Sequence, residues 1–130
     1  MSTYLKTANL DSSILTYKIV EDIRLDQTAI VDVTQSSGVL RTIEVDATAA
    51  QQNANQHLKL KLTSTEVVVG QTVPDIVIRC IGTKRFISEF PGGIPFTGLT
   101  AWLTSSEADN ATTNTEAAAG RYTIVRFVTT

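Results

Sequence analysis

Residues 58–63 read LKLKLT, an unbroken alternation of apolar and polar positions. In an extended chain Leu58, Leu60 and Leu62 fall on one face, and Lys59 and Lys61 on the other. Period-two alternation marks a strand with one buried side. The same pattern recurs along the chain. TIEVDA turns Ile43, Val45 and Ala47 inward and Thr42, Glu44 and Asp46 outward. In RFISEF, Phe86 and Phe90 share a face opposite Arg85 and Glu89. Leu99, Ala101 and Leu103 alternate with Thr100, Trp102 and Thr104. RYTIVRFVTT sets Val125 and Phe127 against Tyr122, Ile124 and Val128, and TAIVDV at 28–33 predicts a further strand. IVIRCI (76–81) is apolar on nearly both faces, which predicts a central strand.

Turn signals separate these runs: Ser36-Ser37-Gly38, the polar stretch 49–56, Gly70-Gln71, Gly82-Thr83 and Pro91-Gly92-Gly93. Ile81-Gly82-Thr83-Lys84 reads as a tight hairpin. EFPGGIPF reads as a corner that carries the chain from one sheet to the other, with Phe90 and Phe96 closing the end of the core. Strand follows strand with no room for helical crossovers, so the sheets are expected to be antiparallel. The predicted fold is all-β: a two-sheet antiparallel β-sandwich of seven or eight strands, jelly-roll-like, over residues 27–130.

Residues 1–26 stand apart as an N-terminal arm or docking segment. They hold Tyr4, Leu5, Leu10, Ile14, Leu15, Tyr17 and Ile19. So apolar a segment either docks on its own sandwich or lies on a neighbouring subunit. Those residues, with Trp102, form the candidate partner interface. Trp102 falls on the face opposite Leu99, Ala101 and Leu103, where it is a sugar platform, a subunit contact or, with the faces reversed, core. Residues 105–120 read as a long polar, adaptable loop, within which EAAAG could close one helical turn.

Composition agrees with β structure, since twenty threonines accompany many valines and isoleucines. Eleven basic and thirteen acidic residues give a net charge of −2 with no basic run, so nucleic-acid binding has no electrostatic footprint. No apolar run approaches the roughly 20 residues of a membrane span, and no secretory signal opens the chain, so folding in a cytosol is expected.

Chemistry finds little purchase. Cys80 is the sole cysteine and His57 the sole histidine, too few for a zinc site and in no setting for a catalytic thiol. Neither the P-loop nor the dinucleotide pattern follows Pro91-Gly92-Gly93. Glu44 and Asp46 share a face as a glycosidase pair would, but a solvated outer face explains them. Glu107, Asp109 and Asn110 lack the EF-hand spacing. The expectation is a non-enzymatic protein with no catalytic, cofactor or metal site.

The second half carries a resemblance. The strand IVIRCI, the segment FPGGIPF running into TGLTAWLTSSEADNATT, and the closing RYTIVRFV, preceded by SGVLRTIEVDAT and HLKLKLT, resemble the small β-sandwich structural proteins of tailed-bacteriophage virions. The likeness spans residues 28–130. It implies a capsid decoration, or cement, protein on the head surface, assembled in the host cytoplasm. By the same likeness it is trimeric or arrayed, with the major capsid protein and copies of itself as partners. The polar AAQQNANQ connection and the first 26 residues depart from that pattern. A carbohydrate-binding module with a surface glycan as ligand, or a small tail or neck component, is the alternative.

Overall fold

The computed structural model describes residues 5–9, 18–25, 37–48, 55–64, 66–81, 84–111 and 123–130. They form eight strands: β1 (Leu5–Asn9), β2 (Lys18–Leu25), β3 (Gly38–Asp46), β4 (Asn55–Lys61), β5 (Ile76–Ile81), β6 (Arg85–Phe96), β7 (Thr100–Thr104) and β8 (Thr123–Thr129). No described residue is helical. One sheet has five strands in the order β1-β2-β8-β3-β6, the other three in the order β5-β4-β7, and every pairing is antiparallel. The all-β, two-sheet architecture is therefore as the alternation predicts.

The core lies where the inward positions of the two sheets meet. Val20, Ile43, Val45, Val125 and Phe127 come from the five-stranded sheet, and Leu58, Leu60, Cys80, Ala101 and Leu103 from the three-stranded one. Each large side chain among them contributes about 1.5–3 kcal/mol by leaving water. One polar contact bridges the sheets inside this core: the Thr123 hydroxyl donates to Gln56 Oε1. A buried amide needs such a partner, because an unpaired one costs about as much as a core methylene pair gains.

Several expectations need correction. IVIRCI is not central: β5 is an edge of the three-stranded sheet, with Val77 43% exposed and β4 in the middle. Its outward Val77 faces solvent rather than a second layer. Ile81 to Lys84 is no hairpin link, since β5 and β6 belong to different sheets. Nor is Pro-Gly-Gly a corner. It lies inside β6, which continues to Phe96, and the change of sheet comes afterwards at residues 97–99, where Thr97 N donates to Leu62 O. Phe96 is buried and Phe90 packs against the core, as plugs of the sandwich end would. The strand predicted at 28–33 and the helical turn at 116–120 lie outside the described residues.

What Pro91-Gly92-Gly93 does is bulge. Leu40 faces Ile94 and Thr42 faces Glu89, so two steps along β3 face five along β6. The β3–β8 register slips at the same place, between Leu40 and Thr42. Both glycines have left-handed backbone, φ +82° and +75°, which side chains with a Cβ disfavour. They differ in surroundings. A Cβ on Gly92 meets nothing within 4 Å, while one on Gly93 runs into Val39 Cγ1 and the Arg41 guanidinium. Gly92→Ala should therefore cost about 1–2 kcal/mol, the left-handed penalty alone. Gly93→Ala should cost at least about 1 kcal/mol more from overpacking. Urea denaturation of the two variants checks the difference, and equal midpoints would show that the bulge tolerates a side chain at Gly93.

Candidate functional site

The outward face of the three-stranded sheet is where charged strand positions and burial coincide. β4 and β7 run in register with His57 opposite Thr104, Lys59 opposite Trp102 and Lys61 opposite Thr100. On the other side His57 faces Arg79 of β5, and Lys59 faces Val77. Leu58, Leu60, Ala101 and Leu103 take the inward positions, so this set points away from the core. Alternation alone makes it a wet face. Yet Lys59, Trp102, Thr100 and Thr104 are at most 1% exposed, and His57 is 5% exposed.

Residues 105–111, which follow β7, reach over this face and are fastened to it. Lys59 Nζ donates to the Ala108 carbonyl, which also accepts from Ala111 N. Thr104 Oγ1 donates to Ser106 O at 2.7 Å, and the Ser106 hydroxyl accepts from Ala108 N at 3.2 Å. Burial pushes the Lys59 ammonium below its ordinary pKa, and the Asp109 carboxylate works against that. Burial also lowers the His57 imidazole, aided by the cations of Arg79 and Lys59 and opposed by Glu107 and a hydrogen bond to the Thr104 backbone. His57 Nδ1 is buried with no hydrogen-bond partner. A neutral imidazole tolerates that orphaned nitrogen better than an imidazolium, which would present two donors. The arrangement is a loop latch: one buried amine holds the polar loop by a carbonyl.

On the opposite outer surface, four strands are laced by charge. Arg126 of β8 donates through Nε to Glu21 of β2 and through Nη1 to Glu44 Oε1 of β3, and Arg85 of β6 donates to the same Glu44 oxygen. Glu44 thus serves a cross-strand ladder, and Asp46 beside it accepts from Thr48 N and Oγ1, which lowers its pKa. This is the solvated-face role expected of the pair.

The predicted interface residues scatter. Leu5 lies in β1 and Ile19 in β2, half-buried and paired with Val128, so the segments 5–9 and 18–25 dock on their own sandwich. Tyr4, Leu10, Ile14, Leu15 and Tyr17 lie outside the described residues. Of the readings left open for Trp102, burial excludes an outward platform, since the residue is 1% exposed. Sequence reasoning missed the latch because it took Lys59 as solvated. The available signal was a tryptophan and a lysine on the same predicted outer face as the lone histidine.

His57 and Cys80 face opposite sides of the sheet, since Cys80 pairs with Gln56 and sits in the core. Burial pushes the Cys80 thiol up to about 11, far from a reactive thiolate. Among the described residues no group of three His, Cys, Asp or Glu side chains could hold a metal ion, and no helix is long and apolar enough to cross a membrane. A shallow depression of about 220 Å³ beside the bulge is lined by Arg41, Thr42, Glu89, Phe90, Pro91 and Gly92.

Fold and surface together define a two-sheet antiparallel β-sandwich protein with a latched loop over its smaller sheet. No family model matches the chain, and no curated protein matches it.

Two predictions test the latch face. The unfolded chain protonates His57 near its ordinary pKa of 6.5, whereas the folded chain resists it, so stability should fall as pH drops below about 6.5. His57→Gln should lessen the loss of melting temperature between pH 7 and pH 5.5; identical slopes would rule out His57 as the cause. Lys59→Met keeps the stem and removes the ammonium, which should leave stability nearly unchanged. It should also speed amide exchange at residues 106–111. Lys59→Ala empties the site beside Trp102 and should cost about 2–3 kcal/mol in urea denaturation.

Proposed function

We propose that this chain is a non-enzymatic structural protein of a bacteriophage virion, a decoration subunit that binds the major capsid protein and copies of itself on the head surface. One observation carries the reading, and it is the strand order. β2-β8-β3-β6 facing β5-β4-β7 follows the order of a jelly roll, whose full form adds one more strand beside β7, contributed in the chain between β2 and β3. Double-sheet jelly rolls are a recurring solution for viral capsid domains and for lectins. A fold hosts many functions, so the strand order supports the virion setting only together with the likeness of residues 28–130 to phage sandwich proteins.

The lectin-like alternative rests on Trp102 as an outward aromatic and on the 105–120 loop, and the buried ring removes the first of these supports. The grip on the shell is also relocated. Residues 18–25 are a strand of the sandwich, with Val20 fully buried and Glu21 bonded to Arg126, so they do not serve as a detachable arm. Capsid contact falls instead to the sheet surfaces and loops.

The test is the composition of the particle. Virions produced by the genome that carries this gene, purified on a density gradient and separated into heads and tails, should contain the chain in the head fraction by mass spectrometry. Its copy number there should be comparable to that of the major capsid protein. Presence only in the tail fraction would move the protein to a tail or neck position, and absence from the particle would overturn the reading.

A further inference from the structure

β6 forms an edge of the five-stranded sheet. No described strand lies beyond β6 in the five-stranded sheet. Ala47 N donates to Lys84 O, so the backbone groups of Lys84 face β3. Alternation along an antiparallel ladder then turns those of Phe86 and Ser88 toward β3 as well. The N–H and C=O groups of Arg85, Ile87 and Glu89 therefore face outward, along an edge where all three side chains are exposed. Ile87 is the most exposed large apolar residue described, at 62%. A row of outward backbone groups with no described partner strand, beside an exposed isoleucine, is a template for another strand.

We propose that the occupant is β6 of a second copy of this chain, paired antiparallel about a two-fold axis through Ile87. Charge selects this partner and this register. With Ile87 opposite Ile87, Arg85 of each copy stands directly opposite Glu89 of the other, on the same outer face. Both ends of the contact are thus complementary, and the three outward-facing residues of one copy meet those of its mate as hydrogen-bonded pairs. On the inner face Phe86 stands opposite Ser88. Phe86 and Phe90 of one copy then reach those of the other along diagonal positions, within range for aromatic side chains. Both rings are only half-buried in the single chain.

The bulge defines where the contact stops. Pro91 has no N–H, and the left-handed glycines after it bend the strand out of line. Pairing is confined to the short segment before it. A two-fold contact of this kind uses the edge on both copies and closes. It refines the self-association in the proposed function, giving a pair where the phage likeness implies a trimer. It does not depend on where in a virion the protein sits.

Sedimentation of the purified chain and of two charge variants tests it. The wild type should self-associate to a dimer. Glu89→Arg places Arg opposite Arg, and Arg85→Glu places Glu opposite Glu, so each variant alone should associate at least about tenfold more weakly. Mixed together they restore both complementary pairs and should form a heterodimer. Circular dichroism spectra like the wild type's would show that both variants still fold. Ile87→Cys should in addition be joined to its copy by a short bis-maleimide linker, while Val68→Cys, on an exposed loop residue, should not. Cys80 stays out of this reaction because it is buried. A wild-type chain that remains monomeric at its highest soluble concentration would overturn the proposal. So would a mixture of variants no more associated than each alone, or equal crosslinking at positions 68 and 87. Virion composition is blind to all of these outcomes, so the two readings stand or fall separately.

Discussion

The pairing of β8 with both β2 and β3 holds the five-stranded sheet together from its middle. Residues 123–129 lie between strands drawn from residues 18–25 and 38–46. Without β8 the β1–β2 pair has no bond to the rest of its sheet. The ladder through Arg126 to Glu21 and Glu44 repeats the same arrangement in side chains. Val125 and Phe127, fully buried beneath it, repeat it in the core. Exposed ion pairs add little singly, but here four strands share one chain of charges across a ladder already fixed by backbone bonds.

The two sheets handle their outer faces differently. On the larger sheet the face is laced by charge and open to solvent. On the smaller sheet, of three described strands, Trp102 and Lys59 are buried on the outward face, with Lys59 held by the loop after β7, while Val77 of the edge strand stays exposed. A charged residue buried on such a face must find an internal partner. Lys59 finds the Ala108 carbonyl, and the loop thereby acquires a fixed course. Asp75 does similar work at the other end of β4. Its carboxylate accepts from Leu62 N and Lys61 Nζ while its own N–H bonds Leu60 O, closing the segment between β4 and β5.

Much of this was legible as alternation. LKLKLT, TIEVDA and the strand around Phe127 lie where their periodicity puts them, because each has one face in the core. What alternation does not encode is the order of strands. IVIRCI is apolar on both faces and still forms an edge, since nothing described covers Val77. Nor does alternation say whether an outward face is wet, and so the burial of Lys59 and Trp102 was marked only by their sharing a face with the lone histidine. Pro91-Gly92-Gly93 carries the composition of a turn. Left-handed glycines serve a bulge as well as a corner, and only the register against β3 distinguishes the two.

The central place of β8 also orders events in time. Residues 123–129 are the last described strand to be made, so β3 emerges before the strand that fills one of its sides. During that interval its hydrogen-bonding groups and the inward Ile43 and Val45 await a strand still to be translated. Folding that depends on such distant partners is slow, and an unfilled slot in a sheet invites strands from other nascent chains. In a cell making many copies at once, that interval exposes the chain to mispairing.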